Sequence, residues 1–166
     1  MATRRPRPSN RTSDTPSEPA PARSPRGSAR RTARAAASSA APAKPAKALR
    51  LPKAVATAIE AARDKKALDT VVLDLRKADG FTDYFVICSG ANARQITAIA
   101  DAVQETLKKQ LDERPAVAEG MKSSEWILLD YFNFVVHIFS RECRSFYGLE
   151  RLWGNADRYD FSDETV

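Results

Sequence analysis

Hydrophobic residues recur between residues 51 and 157 at two different spacings. A spacing of three and four residues is typical of amphipathic helices and predicts helices over 52–66, 91–113 and about 141–153. Short runs rich in Val, Ile, Leu and aromatic residues predict strands over 70–75, 84–88, 116–120, 126–131 and 134–139. This order of elements predicts an α/β fold, a mixed-sheet sandwich of about five strands flanked by helices.

The predicted strand "WILLDY" carries different residues on its two faces, because successive side chains of a strand point to opposite sides. The faces are formed by Trp126, Leu128 and Asp130 and by Ile127, Leu129 and Tyr131. A strand that only filled a core would need neither a tryptophan at its entrance nor a charge in its middle, so we expect one face to serve the core and the other a partner. We predict a partner-binding site at Trp126, Leu128 and Asp130, with Tyr131 beside them. The alternative is that Trp126 and Leu128 pack under the last helix.

Charge divides the chain into two unlike parts. Residues 1–50 hold 12 Lys and Arg against 2 acidic residues and contain 8 of the 10 prolines, whereas residues 51–166 hold 15 basic and 19 acidic residues. The first part lacks periodic large apolar residues, so it is predicted to be a disordered basic tail. An α/β domain over 51–157 and a short acidic C-terminal tail over 158–166 complete the predicted organisation. The basic tail either contacts RNA phosphates or serves as a solvated extension.

The N-terminal composition also bears on location. Its Arg, Ser and Ala content resembles that of organellar transit peptides, but clustered prolines oppose the amphipathic helix that such peptides form. The chain has no run of 18 or more apolar residues, the length expected of a membrane span. A cytoplasmic location is therefore expected, with organellar import as the alternative.

Few residues suggest catalytic or cofactor chemistry. The one histidine, His137, lies inside "FVVHIF" and is interpreted as a core or edge histidine. The junction Ser89-Gly90 either exposes N–H groups to a phosphate or simply begins a helix. The strand acids Asp74 and Asp130 stand alone, so two-metal chemistry is not expected, and no metal or cofactor is predicted.

The two cysteines, Cys88 and Cys143, lack C-x-x-C spacing. They are interpreted as reduced, buried apolar side chains.

Three separated motifs resemble the ribosomal silencing factor family, also called RsfS or Iojap-like. They occur in order as Thr82-Asp83-Tyr84-Phe85, as "EWILLDY" with Val136-His137, and as "YGLERLWG" over 147–154. The resemblance extends from about Leu51 to Asp157. Two positions depart from the family pattern, since Phe132-Asn133 stands where the family often has Gly-Asp, and Asn155 stands where it has Asp.

The resemblance implies a non-enzymatic factor with a mixed α/β fold related to nucleotidyltransferases but without their catalytic carboxylates. Such a factor binds the large ribosomal subunit at its bridge-forming fourteenth protein, blocks joining of the small subunit, and represses translation when nutrients are limiting. The basic tail is then expected to reach ribosomal RNA, and a homodimer of the free protein is left open. Two other hypotheses are a nucleotidyltransferase-like enzyme that uses Ser89 and Gly90, and an RNA-binding protein that acts through its tail.

Overall fold

The structure is a computed structural model that describes residues 44–45, 50–123 and 125–162. The predicted tail over 1–50 therefore lies outside the described residues, apart from residues 44–45 and 50. All of the described residues belong to one compact unit, Ala37–Val166.

The described chain contains four helices and seven strands. The helices are α1 (Lys53–Asp64), α2 (Ala93–Leu111), α3 (Arg141–Tyr147) and α4 (Leu149–Leu152). The strands are β1 (Lys44–Pro45), β2 (Leu68–Asp74), β3 (Tyr84–Ser89), β4 (Val117–Glu119), β5 (Trp126–Asp130), β6 (Phe134–Phe139) and β7 (Asp157–Asp160). They form a single sheet in the order β1-β7-β2-β3-β6-β5-β4.

The sheet is mixed, as predicted. The pairs β3–β6 and β1–β7 are parallel, and the other neighbouring strands are antiparallel. The α/β class with a mixed sheet is thus confirmed, although the sheet has seven strands rather than about five. The extra strands are β1 and β7, which join the sheet by backbone pairing and carry no apolar alternation in the sequence.

Helices α1 and α2 cover one face of the sheet. Both helices are amphipathic, and their apolar sides, which include Val55, Ile99 and Leu107, are fully buried against the strands. Helix α2 begins where the Asn92 side chain accepts a 2.9 Å hydrogen bond from the Gln95 backbone N–H, which satisfies one of the free donors of the first turn. This side of the sheet forms the larger of two buried cores.

The opposite face of the sheet is covered less completely. Its core contains Val71, Leu73, Phe85, Ile87 and Phe139, and partly buried residues of β5, α3 and α4 pack around it. These two helices are only 7 and 4 residues long. The sheet therefore has one closed face and one face with room for contacts to another molecule.

Two boundaries predicted from the sequence are wrong. The helix predicted over 141–153 is interrupted at Gly148, which adopts a left-handed backbone conformation with φ 55° and separates α3 from α4. The C-terminal tail predicted over 158–166 begins too early, because residues Asp157–Asp160 form β7 and pair with β2. Within the predicted disordered tail, Lys44–Pro45 form β1 and pair with β7.

Candidate partner-binding face

Strand β5 has one buried face and one half-buried face. Ile127 and Leu129 are fully buried under the helical layer, whereas Trp126, Leu128 and Asp130 keep part of their surface in solvent. The structure thus places the three predicted residues together on the accessible side of the strand.

Tyr131 does not belong to this group. It is 6% exposed, its ring stacks on Phe134 with centroids 4.8 Å apart, and burial raises the pKa of its hydroxyl. Strand alternation turns its side chain toward the helical core, so the structure does not group Tyr131 with the accessible side chains of β5.

Trp126 is held in a fixed orientation by aromatic neighbours. Its indole N–H donates a 3.3 Å hydrogen bond to Nδ1 of His137, and its ring stacks on Phe139 at a centroid distance of 5.0 Å. Tyr147 of α3 lies 4.6 Å away, ring to ring. The alternative that Trp126 packs under the last helix is thus partly what the structure shows, but the side chain still reaches the surface.

His137 supports Trp126 from below. It is 4% exposed, and burial lowers its pKa from the usual 6.5 to about 4, with the charge of Glu150 acting in the opposite sense. A neutral ring that accepts at Nδ1 carries its proton on Nε2, and this buried atom has no hydrogen-bond partner among the described residues. The interpretation of His137 as a core residue fits this position.

Asp130 organises the turn that follows β5. Its Oδ1 accepts a 2.7 Å hydrogen bond from the Phe132 N–H, and the Phe132 carbonyl accepts a 2.9 Å bond from the Thr82 hydroxyl. Phe132 has φ 65° and an exposed side chain. The charge of Asp130 is therefore both a structural acceptor and part of the accessible surface.

Edge strand β4 extends this surface. Val117 pairs with Asp130 and Glu119 pairs with Leu128, and paired residues of an antiparallel ladder point to the same side of the sheet. We call the side chains of Val117, Glu119, Trp126, Leu128 and Asp130 the β5 face. It combines an apolar centre with two carboxylates.

Two aromatic residues beside the β5 face lie on the surface, and the sequence did not predict this. Phe146 is 78% exposed and Tyr147 is 46% exposed, although an unbroken helix over 141–153 would place Phe146 together with Leu149 and Trp153. Because α3 ends at Tyr147, the helical register that would have buried Phe146 does not continue. Gly148, a residue that commonly ends helices, was the available signal.

The other candidate sites are occupied by internal contacts. At the Ser89-Gly90 junction, the Gly90 N–H donates to the Phe139 carbonyl at 2.9 Å and the Ala91 N–H donates to the Gln95 side chain at 2.7 Å. The junction therefore begins a helix rather than offering these N–H groups to a phosphate. A Cβ on Gly90 would lie 2.6 Å from Ile96, which explains the glycine.

Asp74 likewise has a structural partner. Two hydrogen bonds of 2.9 and 2.7 Å join it to the Arg76 guanidinium, and they hold the pKa of Asp74 below its usual value. Within the described part of the chain, no three His, Cys, Asp or Glu side chains converge as metal ligands would. Searched over the same residues, the helices include none with the length and apolar character that crossing a membrane requires.

The cysteines differ in burial. Both are free thiols; Cys88 is fully buried, and burial raises its pKa to about 12. Cys143 is only half-buried, so the expectation of two buried cysteines is wrong for this residue, whose Sγ lies 3.8 Å from a carboxylate oxygen of Glu125.

Comparison with known proteins gives a consistent result. Residues 48–166 match the family model RsfS, described as "Ribosomal silencing factor during starvation". The chain is 39% identical over 106 residues to ribosomal silencing factor RsfS of Bacillus subtilis. This alignment covers 62% of the present chain and 86% of the relative. It is 37% identical over 97 residues to the Zymomonas mobilis protein of the same name, and this alignment covers 58% of the present chain and 72% of the relative.

A crystal structure of a Chromobacterium violaceum protein has the same fold. It is 33% identical and superposes with a TM-score of 0.60 over 64% of this chain and 88% of that chain. With the family model matching more than half of the sequence, this chain belongs to the ribosomal silencing factor (RsfS) family.

Proposed function

We propose that this protein acts without catalysis, by binding the large ribosomal subunit through its β5 face and thereby preventing the small subunit from joining. The bound protein on the large subunit would be the bridge-forming fourteenth protein, and the effect would be to repress translation when nutrients are limiting. The proposal places the protein in the cytoplasm. Membership of the silencing factor family supports the role, and the single accessible side of β5 supports the site.

The composition of the β5 face is suited to a basic protein surface. Trp126 and Leu128 offer apolar area at the centre, and a buried aromatic residue is a frequent source of binding energy at interfaces. Asp130 and Glu119 place negative charge around it. Residues 51–166 also carry four more acidic than basic residues, so opposite potentials would speed and orient docking to a basic ribosomal protein.

The rigidity of the face also favours binding. The hydrogen bond from Trp126 to His137 and the contacts with Phe139 and Tyr147 fix the indole before a partner arrives. Less conformational entropy is then lost on association. Steric exclusion requires nothing more than an object bound at the position where the other subunit would dock.

The site can be tested with the variants Asp130→Asn and Leu128→Ala. Asn keeps an acceptor for the Phe132 N–H but removes the charge, so we expect about tenfold weaker binding to isolated large subunits, mainly through slower association. Leu128→Ala removes apolar contact area and should weaken binding by a similar factor, mainly through faster dissociation. Surface-immobilised subunits would give both rate constants.

The control is Asp101→Asn, which removes an equal charge from the exposed side of α2. It should bind like the unmodified protein. Thermal unfolding of every variant excludes loss of the fold as the cause. Wild-type affinity in both Asp130→Asn and Leu128→Ala would show that the partner contacts another surface.

A further inference from the structure

We propose that a cleft beside α3 and α4 binds the phosphodiester backbone of RNA. This inference rests on the proposed function, because the RNA in question is that of the large ribosomal subunit next to the docked protein. The cleft encloses about 660 Å³ and is lined by four arginines, Arg141, Arg144, Arg151 and Arg158, together with Asp69 and Glu150. We call it the arginine cleft.

One of the four arginines builds the wall of the cleft. Arg144 donates to Glu150 Oε1 at 2.9 and 2.6 Å, and its third nitrogen donates to the Asp69 carbonyl at 2.6 Å and to the Ser89 hydroxyl at 3.1 Å. Both side chains of the ion pair are mostly buried. Arg144 and Glu150 therefore neutralise each other and hold α3 and α4 against the ends of β2 and β3.

The remaining arginines are not neutralised in this way. Within the described residues, Arg141, Arg151 and Arg158 form no ion pair, and Arg141 and Arg151 are exposed. Acidic residues near them include Asp69 and Glu150, which line the cleft, and Asp160, whose carboxylate interacts with the charges of Arg158 and Arg144. A positive patch thus persists in a domain whose overall charge is negative.

Arg158 carries an unsatisfied donor. It stands opposite Leu73 in the sheet, and its Nε is buried without a hydrogen-bond acceptor among the described residues. A buried N–H without an acceptor is unfavourable, and native structures usually supply a partner. The Arg158 side chain also lines the cleft, where a phosphate would complement its planar guanidinium.

The lining favours a phosphate chain over a nucleotide or an apolar ligand. Among the described residues that line the cleft, none is an aromatic on which a base could stack, and guanidinium, hydroxyl and carboxylate groups dominate. Contacts of this kind position a nucleic acid through its backbone without reading its sequence. RNA backbone is therefore a better match than a free nucleotide.

The position of the cleft relative to the β5 face supports the same ligand. Ser89 pairs with Phe139, and Phe139 pairs with Trp126, so the three residues lie side by side on neighbouring strands. Neighbouring strands are about 4.8 Å apart, which puts the cleft wall about 10 Å from Trp126 on the same side of the sheet. A molecule docked through the β5 face would therefore present the cleft to whatever lies beside its partner.

The test uses the full chain and the double variant Arg141→Gln/Arg151→Gln. Its control is Arg94→Gln/Lys108→Gln, which removes the same charge from exposed positions of α2. Binding to whole large subunits is measured at several salt concentrations. We expect the cleft variant to bind about tenfold more weakly. The slope of its log affinity against log salt concentration should be smaller in magnitude by about two, because two phosphate contacts are lost, and the control should match the unmodified protein.

Three further arms identify the ligand. Binding to the isolated fourteenth protein, which contains no RNA, should be equal in the cleft variant and the unmodified chain, whereas Asp130→Asn should weaken it. Titration with ATP tests whether the cleft binds a free nucleotide. Bound oligouridylate is then challenged with poly-glutamate, which tests whether the cleft binds an acidic peptide equally well. ATP binding that the cleft variant abolishes, or equal competition by poly-glutamate, would overturn the RNA assignment.

Equal affinity and salt slope in the cleft and control variants would also overturn the inference while leaving the proposed function intact. If instead neither Asp130→Asn nor Leu128→Ala weakens binding in either binding assay, the proposed docking site fails. Absence of any binding to large subunits would overturn both proposals.

Discussion

Phe132 has a backbone conformation that large side chains rarely adopt. Its φ of 65° brings Cβ close to the backbone, which costs about 1–2 kcal/mol relative to right-handed conformations. The hydrogen bonds to Asp130 and Thr82 impose this geometry on the turn, while the ring itself is 75% exposed. In a tight turn at Phe132-Asn133 the sequence favours Asn133 for the left-handed conformation, but Phe132 is the residue that adopts it.

We predict that Phe132→Gly leaves the free energy of unfolding unchanged or raises it by about 1 kcal/mol. Relief of the strained backbone exceeds the extra chain entropy that glycine gives to the unfolded state. Urea unfolding at pH 7 measures the effect. Phe132→Ala, which keeps a Cβ, should stay close to the unmodified protein. A loss of more than about 1 kcal/mol in Phe132→Gly would mean that the ring packs against the domain.

His137 makes the stability of the domain depend on pH. Burial lowers its pKa to about 4, so between pH 4 and 6.5 the unfolded chain binds more protons than the folded one. The free energy of unfolding is therefore highest above pH 6.5. It decreases as the pH is lowered from 6.5 to 4, by roughly 3 kcal/mol in total. The fall should be clear between pH 7 and 5, before most carboxylates are protonated.

The comparison is between the unmodified protein and His137→Gln, measured by urea unfolding at pH 7, 6 and 5. Gln can still accept the Trp126 N–H bond but does not titrate in this range. Because His137 is the only histidine of the chain, the variant should lose most of the pH dependence. An identical slope in both proteins would show that His137 is not buried in its neutral form.

Among the elements, those with a clear hydrophobic period agreed with the sequence prediction, whereas those without one, or whose period continues across a glycine, did not. Helix α2 and strand β5 both have clear hydrophobic periods. The period of β5 correctly placed Ile127 and Leu129 on one face of the strand and Trp126 and Leu128 on the other. The predicted helix over 141–153 has the right composition, but its apolar spacing continues across Gly148 and so hides the break. Strand β7, "DRYD", is mostly polar and is held by backbone pairing, which a hydrophobic pattern does not report.

Gly148 determines where α3 ends and α4 begins. We predict that Gly148→Ala lowers the free energy of unfolding by about 1 kcal/mol, because φ 55° is unfavourable for alanine. Gly148→Asn should lose less, since asparagine tolerates this conformation. Equal losses for the two variants in urea unfolding would contradict the backbone explanation and indicate a clash of the new Cβ with Arg151, whose guanidinium lies 3.3 Å from its position.

The arrangement of the whole sheet explains which parts of the site the sequence could show. The β5 face lies mostly on one strand, so strand alternation was enough to group Trp126, Leu128 and Asp130. The arginine cleft combines residues from position 69 to position 158, and it forms only when β7, α3 and α4 meet. Sites assembled from distant segments leave no spacing pattern that a single sequence reveals.

The sheet has one face that is covered by helices and one face that is accessible to a partner. Helices α1 and α2 cover one side of the sheet, while the β5 face, the exposed aromatics of α3 and the arginine cleft all lie on the other. A single bound orientation on the large subunit would use these features together. We propose that such binding excludes the small subunit.

A subunit-joining assay shows whether the bound protein excludes the small subunit. Purified large subunits are saturated with the protein, small subunits are added, and the fraction of whole ribosomes is measured by sedimentation. We predict that whole ribosomes fall in proportion to occupancy with the unmodified protein, and that the double variant Leu128→Ala/Asp130→Asn at the same concentration leaves joining nearly unchanged. Undiminished joining of large subunits that sediment with the unmodified protein still bound would contradict the account.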